Sequence, residues 1–147
     1  ILSSVEGAED NIIDVCRVGK EIEVSKNDIL IALAASGNTP FTSECIRFCK
    51  ENKAITIAVS NNKNGNILKL ADYSILLDTG YEMIAGSTRL KAATAQKICL
   101  NIISSMLMTK LGFVKNGLMT NFIPSNKKLI SRKTKVIKLL NENRSKT

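Results

Sequence analysis

The sequence contains no histidine. That removes the side chain that most often serves as a general base near neutral pH, so acid–base chemistry must fall to carboxylates, lysine or tyrosine. Cysteine is scarce too: Cys16, Cys45, Cys49 and Cys99, with no Cys-x-x-Cys pair among them. A zinc site would need all four thiolates from scattered positions, which argues against a metal. Cys45 and Cys49 share a helix face and are expected to pack as small apolar groups. No apolar stretch reaches the roughly 20 residues of a membrane span. Ile1–Ser4 leads directly into the acidic Glu6–Asp10 stretch, which does not read as a secretory leader. Free thiols without a leader point to a reducing cytoplasm. The chain also lacks an initiator Met, so it is expected to be a piece of something longer.

Charge is present but unevenly placed. The formal total is +8 over 147 residues. Residues 127–147 hold eight basic side chains and one acidic, a net of +7, which leaves +1 on the other 126. A near-neutral body with a basic tail, without interleaved aromatics, reads as a solvated helix end rather than a nucleic-acid-binding face. The length favours one domain, 1–147, with 125–147 as a basic helix and frayed tail.

The most informative stretch is Leu30–Pro40, Leu-Ile-Ala-Leu-Ala-Ala-Ser-Gly-Asn-Thr-Pro. Ile29–Ala35 has no polar residue and suits a strand buried on both faces of a parallel sheet. Ser36-Gly37-Asn38-Thr39 is the turn that follows. Gly37 permits φ > 0 and close approach of a ligand. Asn38 or Thr39 is placed to cap the next helix, and Pro40 fits its first position. A strand, a small polar loop and a helix start make an anion site. The same pattern also describes a plain turn with an N-cap, and the residues alone leave both readings open.

The rest of the chain extends this alternation. Ile1–Val18 is predicted as a helix stopped by Gly19, with Glu9 partly buried on its acidic face. Phe41–Lys53 reads as a helix, Ala54–Ser60 as a strand, Ile67–Ala71 as a short helical piece and Tyr73–Leu77 as a strand. Repeated crossovers of this kind give an α/β fold, a three-layer sandwich with a mostly parallel sheet. Ser87–Leu111 reads as a long helix burying Ala95, Cys99, Ile102, Ile103, Met106 and Leu107. Its start, with Ser87, Lys91 and Thr94 on one face, is either a second anion site or a capped helix with surface lysines. Gly117–Pro124 reads as irregular, and Ser125–Asn141 as a final helix capped by Ser125.

Val5-Glu6-Gly7-Ala8-Glu9-Asp10, Ala34–Pro40 and above all Gly86-Ser87-Thr88-Arg89-Leu90-Lys91-Ala92-Ala93-Thr94-Ala95-Gln96-Lys97 carry a resemblance. In that order and at that spacing, the chain resembles the N-acetylmuramic acid 6-phosphate etherases, within the wider group of sugar isomerase (SIS) domains. It departs from the family pattern at Asn38, where Arg is expected, and at Ala93, where Gly is expected. Asn116-Gly117 stands for a Gly-Asn pair, and Asn121 for an Asp. The resemblance implies a partial SIS domain with a Rossmann-like, doubly wound sheet. Roughly the first third of a family chain, with a Gly-Thr-Ser-Gly phosphate loop and a second glutamate, has no counterpart here.

The implied activity is that of a carbon–oxygen lyase without metal or organic cofactor. It eliminates D-lactate from N-acetylmuramic acid 6-phosphate to give N-acetylglucosamine 6-phosphate in cell-wall amino-sugar recycling. By motif match Glu9 is the base. Ser36 and Thr39, with the N–H groups of Gly37 and Asn38, hold the 6-phosphate, and Ser87, Lys91 and Glu82 line the site. Glu44 follows the loop but is expected to be solvated rather than to replace the missing glutamate. The implied partners are a phosphorylated amino sugar and a second copy or a complementary N-terminal half, with neither membrane nor nucleic acid. The alternative is a non-catalytic phosphosugar-binding module or a decayed remnant.

Overall fold

The computed structural model describes residues 7–144, and side chains through residue 141. Two compact units divide the chain, Ile1–Ile98 and Cys99–Thr147.

In the first unit a parallel sheet is built from β1 (Ile29–Leu33), β2 (Ile55–Ser60) and β3 (Tyr73–Leu76), in that order. Ala32 lies beside Ala58, and Val59 beside Ile75. The connections are α2 (Pro40–Glu51) and α3 (Ile67–Leu70). Strands in sequence order joined by right-handed crossovers place both connections on one face. Ala32, Ala34 and Ala58 accordingly pack with Ile46 of α2 and Ile67 of α3 in a single core, flanked by Leu30 and Leu68. The alternation along β1 puts Leu30, Ala32 and Ala34 on this face. Among the described residues β1 is an edge, so Ile29 stays 61% exposed, and of the residues in the strand itself only Ala32 is fully buried. The continuous apolar run thus marks a strand, but one without a second neighbour here.

One polar lock fastens this layer. Asp72, just before β3, accepts from the amide and hydroxyl of Thr56 at 2.9 and 2.7 Å and pairs with Lys50 of α2 at 3.1 Å. The Thr56 hydroxyl in turn accepts from the Asp72 amide, and Thr56 is fully buried. These donors hold the Asp72 carboxyl at about 2, with the Thr56 hydroxyl the largest cause.

The predicted first helix is shorter and broken. Ile1–Glu6 lies outside the described residues; Ala8–Asp10 is a 3₁₀ turn, and α1 runs Ile13–Glu21. Gly19 does not stop it. The Phe48 ring of α2 occupies the space a Cβ at residue 19 would need, so Gly19 serves helix packing. Cys49 is buried and Cys45 half-buried; burial raises both thiols, which pack as small apolar groups.

α4 (Lys91–Lys110) begins in the first unit, and its turns from Cys99 belong to the second. It starts four residues later than expected. Its expected buried face is largely uncovered: Ile102, Met106 and Leu107 are each more than half exposed, because no described element packs closely on them. The second unit adds a hairpin of β4 (Val114–Lys115) and β5 (Leu118–Met119). Asn116 and Gly117 join them with φ of 51° and 73°, as a two-residue turn of primed type demands. The sequence pattern reads Gly117–Pro124 as irregular, whereas the short strand Leu118–Met119 lies within it. α5 (Lys127–Arg144) is capped by Asn126, whose side-chain oxygen accepts from the Leu129 amide at 3.0 Å, and not by Ser125. Of the frayed end expected at Asn143–Thr147, residues 143 and 144 still belong to α5 and residues 145–147 lie outside the described residues. Among the described residues no helix is long and apolar enough to cross a membrane.

Candidate functional site

The three strands of the first unit end on the same side of the sheet, and their following loops meet there. In an open parallel sheet this edge is where ligands collect. The loop after β1 is tied to the loop after β2. Asn62 donates its side-chain amide to the Ser36 carbonyl at 2.9 Å, Asn38 accepts from the Asn66 amide at 3.0 Å, and the Ile67 amide donates to the Gly37 carbonyl at 3.0 Å. Gly37 (φ 73°) lies directly against Gly65: a Cβ on residue 65 would come within 2.8 Å of the Gly37 Cα. Only two residues without side chains fit this crossing.

Thr39 stands at the cap position of α2 without a side-chain cap bond. The expected donors are partly used: the Gly37 amide donates to the Ala34 carbonyl at 3.0 Å and the Asn38 amide to the Ser36 hydroxyl at 3.2 Å. The first turn of α2, at Phe41 and Thr42, retains amides that have no intrahelical partner.

A hollow of about 450 Å³ opens at this edge. Ser36 lines it from the first loop, Asn61, Asn62 and Lys63 from the second, Asp78 to Glu82 from the third, and Gly86, Thr88 and Ala92 from the approach to α4. Hydroxyls, amides, one cation and two carboxylates therefore face a space of small-metabolite size.

Glu82 does not offer its carboxylate freely. Its two oxygens accept from the Ala92 amide at 2.9 Å and the Lys91 amide at 3.0 Å. The Ala92 amide is the chief cause holding Glu82 below the usual carboxylate range; partial burial opposes it, and the Lys91 amide and charge assist. The start of α4 is thus capped by an acid from the preceding loop, as the helix dipole favours.

Residues 21–106 match the model of the SIS domain. The chain belongs to the SIS domain family. It is 43% identical over 137 residues to the N-acetylmuramic acid 6-phosphate etherase of Oceanobacillus iheyensis, covering 93% of this chain and 47% of the relative. The etherase of the same name from Clostridium acetobutylicum is 44% identical over 137 residues, covering 93% and 45%. That of Bacillus subtilis is 43% identical over 139 residues, covering 95% and 46%. The chain thus spans less than half the length of these relatives.

Within the hollow, two of the expected site residues come together, Ser36 and Glu82. Gly37, Asn38 and Thr39 shape the adjoining loop without lining it. Ser87 lies in the turn before α4; its amide donates to the Ile84 carbonyl. Lys91 faces a second, shallow hollow with Arg89, Leu90, Thr94, Ala95 and Ile98. Glu9 is exposed on the 3₁₀ turn rather than partly buried. That turn packs on α2. Glu44 pairs with Arg47 at 3.0 Å. Asn61, Lys63, Asp78 and Thr88 line the hollow and were not singled out from sequence. For Asn61, Lys63 and Asp78 the signal was their place just after strand ends, which periodicity marks only as loop; Thr88 lies inside the Gly86–Lys97 stretch.

Proposed function

We propose that the hollow beside Ser36 binds a phosphorylated amino sugar, and that the chain is a part of an N-acetylmuramic acid 6-phosphate etherase. The observation that carries this reading is a polar hollow at the carboxyl edge of a parallel sheet, in a SIS chain 43–44% identical to etherases over nine-tenths of its length. Ser36 and Thr39, with the adjoining backbone of Gly37 and Asn38, take the 6-phosphate. Glu82 borders the sugar within the hollow and Ser87 stands beside it, while Lys91, facing the neighbouring shallow hollow, is a more distant member of the site.

The chemistry needs no metal. An open-chain sugar carries an aldehyde that acidifies the C2 proton. The Glu9 carboxylate removes that proton, and the C2 electron pair forms a double bond to C3 as the lactyl ether oxygen leaves. A second acid protonates that oxygen, releasing D-lactate, and water then adds at C3. Glu44 is a poor candidate for that acid, being held by Arg47. The second acid and the covering of the exposed apolar residues on the β1 edge and α4 come from a second copy of the chain or from a complementary N-terminal half. The protein works in the cytoplasm, in amino-sugar recycling.

The Glu44–Arg47 pairing favours one other reading, a SIS module that binds the sugar phosphate without turnover. Incubation with N-acetylmuramic acid 6-phosphate separates the two. An etherase releases D-lactate, and Glu9→Gln abolishes release while sparing affinity. A binding module takes up the sugar phosphate and releases none. A chain that binds no sugar phosphate overturns both.

A further inference from the structure

The side chain of Asn61 occupies a singular position in the hollow. It follows β2 directly and is half-buried. Its amide nitrogen donates to the Leu77 carbonyl at 3.0 Å and lies 3.5 Å from the Thr79 hydroxyl, both at the end of β3. Its amide oxygen accepts from the side-chain nitrogen of Gln96, in the second turn of α4, at 2.9 Å. Its backbone amide donates to the Ala35 carbonyl, beside Ser36. One residue therefore touches the segments after β1 and β3 and the helix α4, and these carry the walls of the hollow. The Glu82 cap at the first turn of α4 is a second side-chain tie between this helix and the loops. Two points hold the first two turns of α4 against the loops.

We propose that Asn61 and Gln96 are positioning residues: their bond sets the spacing between the Ser36 loop and the Gly86–Ala92 wall, and so the fit of the ligand. This rests on the phosphosugar reading of the hollow. Asn61 is suited to the task because one side chain supplies a donor and an acceptor in opposite directions. A carboxylate or a hydroxyl at residue 61 cannot satisfy both Leu77 and Gln96 in this arrangement. Gln96 reaches from one and a half turns into α4, so it is not itself a cap. It acts on the ligand only through Asn61.

The test uses the full chain and N-acetylglucosamine 6-phosphate as probe, with calorimetric affinity and the thermal midpoint read on each variant. Gln96→Met keeps length and helix propensity and removes the donor. It is expected to weaken binding about five- to tenfold through the altered spacing and, because the Asn61 oxygen loses its partner, to lower the midpoint modestly as well. Gln96→Glu turns the donor into an acceptor facing the Asn61 oxygen and is expected to weaken binding at least as much. Asn61→Asp keeps the Gln96 bond but loses the Leu77 bond; combined with Gln96→Met it should cost no more than the sum of the single changes. Unchanged affinity in Gln96→Met and Gln96→Glu, beside tight binding by the unaltered chain, overturns the positioning role alone. A lowered midpoint with unchanged affinity assigns the bond to stability only and overturns it equally. Failure of the unaltered chain to bind overturns the phosphosugar reading and this proposal with it.

Discussion

Glu82 and Ala92 are joined across the approach to α4, carboxylate to backbone amide, at 2.9 Å. The bond answers a question the sequence posed at Gly86–Lys97, whether that helix start is an open anion site or a capped helix. It is capped, by a residue that sequence reasoning had set against the ligand. Glu82→Ala should therefore lower the thermal midpoint and speed hydrogen exchange at the Lys91 and Ala92 amides above all others. Because the cap holds the Glu82 carboxyl below its usual range, its contribution is complete above that range and fades as pH falls through the depressed value. Exchange at those two amides that is indifferent to Glu82→Ala would remove the cap.

Asp72 gives a second acid-sensitive contact with a defined window. Its carboxyl sits at about 2 in the folded chain against an ordinary 3.8. A depressed value means that the unfolded chain binds the proton first, so the stabilisation is complete above about 4 and is lost as pH falls toward 2. The midpoint difference between the unaltered chain and Asp72→Asn should be full at pH 6 and largely lost near pH 2. Thr56→Val, which strands the Asp72 amide, should cost about 1–2 kcal/mol in denaturant unfolding.

The crossing of Gly37 and Gly65 predicts intolerance of a single methyl group. Gly65→Ala would press a Cβ against the Gly37 Cα and the Asn62 carbonyl, at 2.8 and 3.0 Å. Backbone must then shift, and overpacking of this kind costs about 1–3 kcal/mol. The loop that carries Ser36 would shift with it. Phosphosugar affinity and the unfolding midpoint should fall together.

The exposed apolar surface predicts association. Ile29 at the β1 edge and Ile98, Ile102, Met106 and Leu107 on α4 are each about half exposed or more. Unpaired strand edges and apolar helix faces seek partners. Sedimentation at rising concentration should show a dimer, and Ile102→Lys with Met106→Lys should dissociate it if α4 is the face. A clean monomer throughout would contradict pairing with a second copy.

Much of the sheet was legible in the sequence because buried strands are short, apolar and bounded by turn residues. Ile55–Ser60 and Tyr73–Leu76 fall where the pattern puts them. Boundaries set by tertiary contacts were not legible. Gly19 reads as a helix stop and is a contact for Phe48. Helical periodicity marked Ile102 and Met106 for burial, but periodicity records which face is apolar and not whether a partner is present. At the site, Ser36 was recognisable as the polar end of an apolar run. Asn61 and Gln96 were not, because their partnership spans 35 residues; Gln96 lies within the Gly86–Lys97 stretch, but nothing local to it marks Asn61 as its partner.

The most direct measurement is a titration of the ¹⁵N-labelled chain with N-acetylglucosamine 6-phosphate, followed by amide shifts. A phosphosugar hollow predicts saturable shifts clustered at Ser36–Thr39, Asn61–Lys63, Asp78–Glu82 and Gly86–Thr88, and much weaker ones with unphosphorylated N-acetylglucosamine. Shifts absent from those segments, or equal for both sugars, would contradict it.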